Sequence, residues 1–85
     1  MKADKAQIAR LLKTARGQID GILKMIEDDR YCLDISNQLL SVDAVLRRAN
    51  KEVLRAHLMA CVREAVEQGD VSKVDELTDF FDKTY

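Results

Sequence analysis

Residues 1–85 read as one small domain, and a core of that size rarely stabilises a monomer well without a disulfide, a metal or a second chain. With 47% hydrophobic and 34% charged residues, no Pro, no Trp and three Gly, the chain has the composition of an all-α assembly, and strands are not expected. The net charge is only −1, and no signal-peptide core, lipidation motif or run of about 18 apolar residues is present, so a soluble, cytoplasmic protein without membrane contact is expected.

The first helix is expected from about Asp4, an N-cap residue, to about Asp28. Ile8, Leu11, Leu12, Ala15, Ile19, Ile22, Leu23 and Ile26 recur in steps of three and four, the amphipathic helical signature. Asp28, Asp29 and Arg30 form a short polar break, and Tyr31 and Cys32 open the next element.

The second helix runs from about Cys32 to Glu67, because Leu33 to Glu67 contains neither Pro nor Gly. Cys32, Ile35, Leu39, Val42, Leu46, Ala49, Val53, Ala56 and Ala60 alternate in threes and fours as a heptad seam. A further set, Leu33, Leu40, Leu54, Leu58, Cys61, Val62 and Ala65, lies around the side, and a helix with two apolar faces belongs in a bundle. Gly69 and Asp70 end it, since Gly tolerates the left-handed conformation that closes helices. Ser72 with Asp75 resembles a capping box for a short third helix carrying Val74, Leu77, Phe80 and Phe81.

Three residues stand out as chemistry. His57 and Cys61 are four apart and leave one face of a helix. Cys32 lies 29 residues before Cys61, which on one unbroken helix separates the sulfurs by about 40 Å, so the third donor has to come from a second subunit. An antiparallel pairing that sets Cys32 against Cys61 also sets Ile35 against Leu58, Leu39 against Leu54 and Leu40 against Val53, with the twofold axis between Leu46 and Arg47. Two thiolates and one imidazole are soft donors that suit Cu(I), or Zn(II) with a fourth ligand. The same two thiols, apposed between subunits, also fit a redox sensor.

Charge is unevenly spread. Residues 1–19 hold five cations against one anion and residues 43–63 hold five against two, whereas residues 64–85 hold seven anions against two cations. Lys5, Arg10, Lys13 and Arg16 on the first helix, and Arg47, Arg48, Lys51 and Arg55 on the second, are therefore candidates for a phosphate-binding stripe. Arg48, Lys51 and Arg55 share one face beside the expected twofold axis, where two copies would double the field. No Gly-rich phosphate loop and no Ser, His and Asp set is present, so nothing points to an enzyme.

Arg16-Gly17-Gln18 with Gly21-Ile22, Asp29-Arg30-Tyr31-Cys32, Arg48-Ala49-Asn50, and His57-Leu58 with Cys61-Val62 together resemble the copper-sensitive operon repressors, CsoR, and their relatives RcnR, FrmR and CstR. The resemblance covers most of the chain. It implies an all-helical subunit, an antiparallel homodimer on the long second helix, a homotetramer of two such dimers, and repression by binding operator double-stranded DNA. It places basic DNA-contacting residues at Arg16, Arg48 and Lys51, an intersubunit site at Cys32, His57 and Cys61, and outer-shell partners at Tyr31 and, if one residue is missing near Gly69, at Glu76.

Nickel or cobalt sensing in these relatives needs extra histidines near the N-terminus and formaldehyde sensing an N-terminal Pro, neither of which this chain has. The complete Cys, His, Cys set favours Cu(I) as inducer. The alternative is persulfide sensing, in which Cys32 and Cys61 of neighbouring subunits crosslink and no metal is involved. A thiol or copper buffer without DNA binding is a further reading, and it gives no role to Arg48, Lys51 and Arg55.

Overall fold

The computed structural model describes residues 1–69 and 71–84, with the backbone alone at position 84. Three helices follow in order: α1 (Lys5–Glu27), α2 (Cys32–Gln68) and α3 (Ser72–Thr84). Asp4 caps α1 as its side-chain type predicts, its Oδ1 accepting from the backbone N–H of Ala6 at 2.9 Å and of Gln7 at 3.4 Å.

The break after α1 is a closed motif rather than a loose linker. Arg30 N–H donates to the Met25 carbonyl and Asp29 N–H to that of Ile26, a Schellman pairing with Asp29 at φ 52° in the left-handed position usually taken by Gly. The two aspartates thus end a helix, as their short polar side chains allow. The tight turn folds α1 back along α2 as a helical hairpin.

α2 runs unbroken for 37 residues, about 55 Å at helical rise, and sets the 58 Å long dimension of the subunit. Gly69 closes it at φ 67°, donating its N–H to the Ala65 carbonyl at 2.8 Å. Asp70, the other residue expected at this end, lies outside the described residues. At α3 the Val71 carbonyl accepts from Val74 and Asp75. Ser72 is therefore the first helical residue, one place inside the cap that a capping box requires.

A methyl group added at Gly69 would meet nothing within 4 Å, so substitution there tests the backbone alone. Gly69→Ala is expected to cost about 1–2 kcal/mol, the penalty for a side chain in the left-handed region, read as a lower midpoint in urea with an unchanged slope.

Packing covers only half of the predicted seam. Ile22 and Ala15 of α1 bury against Val42, with Ile35 and Val45 beside them, and Ala49 and Ile8 are also buried. The other half of the seam turns away: Cys32, Leu39 and Leu46 are exposed. A single neighbour covers one stripe of period 3.6, and a seam of period 3.5 straddles its edge.

α3 packs on α2 and makes no contact with α1 among the described residues. The subunit is therefore a slab only 12 Å thick in its short dimension, with no large side chain fully buried among the described residues. Leu12, Ile19, Leu23 and Ile26 on α1 and Leu33, Leu39, Leu40, Leu46 and Leu58 on α2 all face outward.

Candidate metal and thiol site with a basic face

Cys32 is the first residue of α2 and exposed, while Cys61 sits near the far end of the same helix with 2% of its surface accessible. The unbroken helix holds them about 40 Å apart. His57 is exposed one turn before Cys61. Among the described residues, no three His, Cys, Asp or Glu side chains of one chain could hold a metal ion. One subunit brings together two of the three sequence-predicted donors and leaves the third at its opposite end.

The two outer-shell candidates divide in the same way. Tyr31 is the exposed N-cap residue beside Cys32. Glu76, on α3, lines a cavity of about 240 Å³ together with His57, Val53, Leu54, Leu77, Phe80, Met1 and Lys2. Glu76 and His57 thus border one cavity.

Two features at this end were not anticipated. Residues Met1–Ala3 fold against α2 as a strap, with Ala3 buried and Met1 and Lys2 lining the His57 cavity. Glu64, three residues beyond Cys61, binds cations from two directions: its Oε2 lies 2.7 Å from Lys73 Nζ of α3 and its Oε1 lies 4.0 Å from Lys2 Nζ. The Lys73 hydrogen bond and charge hold the Glu64 carboxyl below its ordinary value; desolvation opposes them, and Lys2 and His57 add lesser lowering effects. A lowered carboxylate pKa stabilises the fold above the ordinary carboxylate range, and the contribution is lost only as pH falls through the lowered value. The sequence signal was the step of seven from His57 to Glu64, which keeps both on one face.

The basic candidates Arg10, Lys13 and Arg16 of α1 and Arg48, Lys51 and Arg55 of α2 are all exposed. They are not electrostatically equal. Arg55 is held by Glu52, with Nη2 at 3.0 Å and Nε at 3.3 Å from Oε2, and neighbouring Arg47 by Asp43 at 2.8 Å. No ion pair involves Arg10, Lys13, Arg16, Arg48 or Lys51 among the described residues. Arg10 and Lys13 border a shallow concavity that Ala6, Ala9 and Thr14 also line.

The sequence profile described as "Metal-sensitive transcriptional repressor" matches residues 4–83. The chain belongs to the metal-sensitive transcriptional repressor family. Within that family it is 48% identical over 69 residues to the copper-sensing transcriptional repressor CsoR of Mycobacterium ulcerans, a match over 80% of this chain and 59% of that protein. The chain thus spans less than two thirds of that relative's length. CsoR of Bacillus subtilis is 40% identical over 81 residues, 94% of this chain and 80% of its own. Among solved structures, the copper-sensing repressor CsoR with Cu(I) from Geobacillus thermodenitrificans superposes with a TM-score of 0.81 at 33% identity, covering 98% of this chain and 91% of that one. The all-α fold expected from composition and periodicity is the fold of this metal-sensitive repressor family.

Proposed function

We propose that this chain is a cytoplasmic, DNA-binding transcriptional repressor that releases its operator when Cu(I) fills a site made by Cys32 of one subunit and His57 and Cys61 of its neighbour. The observation that carries the reading is the splitting of the three donors between the two ends of one 37-residue helix. Two thiolates and an imidazole fit a soft monovalent ion, which supplies a bond between subunits that the protein alone lacks. The outward-facing leucines of α2 supply the surface on which two subunits pair antiparallel, and the exposed stripe on α1 supplies a second surface for a tetramer of dimers.

Within the site, Cys32 and Cys61 bind as thiolates and His57 through its neutral ring. Glu76, which borders the same cavity as His57, is assigned to accept a hydrogen bond from the other ring N–H and so fix the tautomer, and Tyr31 precedes Cys32. Arg10, Lys13, Arg16, Arg48, Lys51 and Arg55 contact DNA phosphates in the apo, reduced form. The role is binding and release rather than catalysis. By linkage, DNA weakens copper binding by the same factor that copper weakens DNA binding.

A second reading draws on the unequal exposure of the thiols, Cys32 open and Cys61 covered. The Cys32 thiolate takes a sulfane sulfur from a persulfide, whose remaining thiolate leaves. The Cys61 thiolate of the neighbour then attacks the Cys32 sulfur, forming a disulfide and expelling hydrosulfide.

An anaerobic Cu(I) titration of the reduced protein against a coloured chelator separates the two. Capture of one copper per subunit, lost in His57→Ala, is the expected result. Defeat by the chelator transfers the case to persulfide crosslinking.

A further inference from the structure

We propose that Glu64 is a positioning residue for the inducer site, a latch whose two carboxylate oxygens tie the N-terminal strap and α3 onto α2 and keep the Cys61 sulfur covered until the site is filled. The inference rests on the placing of Cys61 in that site.

The geometry converges on one carboxylate. His57, Cys61 and Glu64 fall at steps of four and three, so they share a face of α2. That face is where both covering segments lie: Met1 and Lys2 of the strap, and Glu76, Leu77 and Phe80 of α3, close the cavity against Val53, Leu54 and His57. Ala3 and Leu77, one from each segment, are buried, and Cys61 is buried with them. Among the described residues α3 makes no contact with α1. Lys73, in the first turn of α3, reaches Oε2, and Lys2, immediately before buried Ala3, faces Oε1. One side chain thus restrains two segments that are distant in sequence.

A donor from a second subunit cannot reach the thiol of a residue with 2% of its surface accessible while these segments stay in place. Filling the site therefore requires the strap, α3 or both to move, and the free energy of that local opening is subtracted from inducer affinity. Glu64 sets part of it. An exposed ion pair contributes little to global stability, but a local opening has few other contacts to break, so the same pair weighs more there. The 2.7 Å arm to Lys73 outweighs the 4.0 Å arm to Lys2.

The test needs no copper and no DNA. In the full reduced chain carrying Cys32→Ala, Cys61 is the one remaining thiol, and its alkylation by iodoacetamide under argon reports opening. Glu64→Gln is expected to react roughly two- to fivefold faster with unchanged far-UV ellipticity, and added salt to accelerate the parent toward the variant while leaving the variant unmoved. Glu64→Lys should be fast as well, and pairing it with Lys73→Glu should restore the slow rate. Equal rates in parent and Glu64→Gln would overturn the latch, as would a fast variant that the charge swap fails to slow, since that marks lost packing. Either failure leaves the copper titration untouched, and a failed copper titration leaves the alkylation result standing.

Discussion

On the proposed site, Cys61→Ala is expected to abolish the response to copper while leaving the apo protein bound to its operator. The loss should be large because the proposed ligand set is minimal: it has two thiolates and one imidazole, and a carboxylate is a poor replacement for a thiolate on a soft ion. Outer-shell partners of metal ligands are worth about 10- to 100-fold in affinity, so Glu76→Gln should fall in that range. Removing a thiolate should exceed 100-fold on the same scale. The measurements are chelator competition for affinity and fluorescence anisotropy of a labelled operator for release. Release of Cys61→Ala at one copper per subunit would sink the assignment. The substitution leaves a small void in place of a small buried thiol, which the fold should tolerate.

The second large effect falls on DNA. In Arg48→Ala with Lys51→Ala, operator affinity should drop on the order of 10²- to 10³-fold at physiological salt, and the slope of log affinity against log salt should shrink by roughly 3–4 per dimer. Neither residue is in an ion pair among the described residues, and the proposed dimer would supply each twice, so four phosphate contacts would be lost together. Arg55→Ala is the internal control, because Glu52 already shares its guanidinium and the loss should be several times smaller. Anisotropy titrations at several salt concentrations give both numbers. Full affinity in the double variant would favour a copper or thiol buffer, for which those cations have no task.

Much of the frame could be read from the chain because it depends on local rules. Asp4 caps where a capping side chain belongs, and the absence of Gly and Pro after Leu33 translates directly into an unbroken α2. The separation of Cys32 from Cys61 needs only the rise per residue. Other features depend on contacts that no local rule encodes. Asp29 takes a left-handed conformation more typical of Gly, and Ser72 lies one place inside the expected cap. The heptad seam is split because Ile35, Val42 and Ala49 meet α1 while Leu39 and Leu46 do not.

The candidate site shows the same division. Spacing alone grouped His57 with Cys61 and sent Cys32 elsewhere. It gave no hint that Lys2 and Lys73 converge on Glu64, since the three are brought together by α3 turning back and the chain start folding down. Nor did counting charges distinguish Arg55, whose carboxylate neighbour lies three residues earlier, from Lys51, for which no ion pair is found among the described residues.

A subunit 12 Å thick has surface nearly everywhere and interior almost nowhere. In the proposed assembly its persistence is governed by mass action: below the concentration at which copies find one another, an orphan chain would leave its leucine faces open to proteases. Gene dosage would then act as a threshold on the proposed repression.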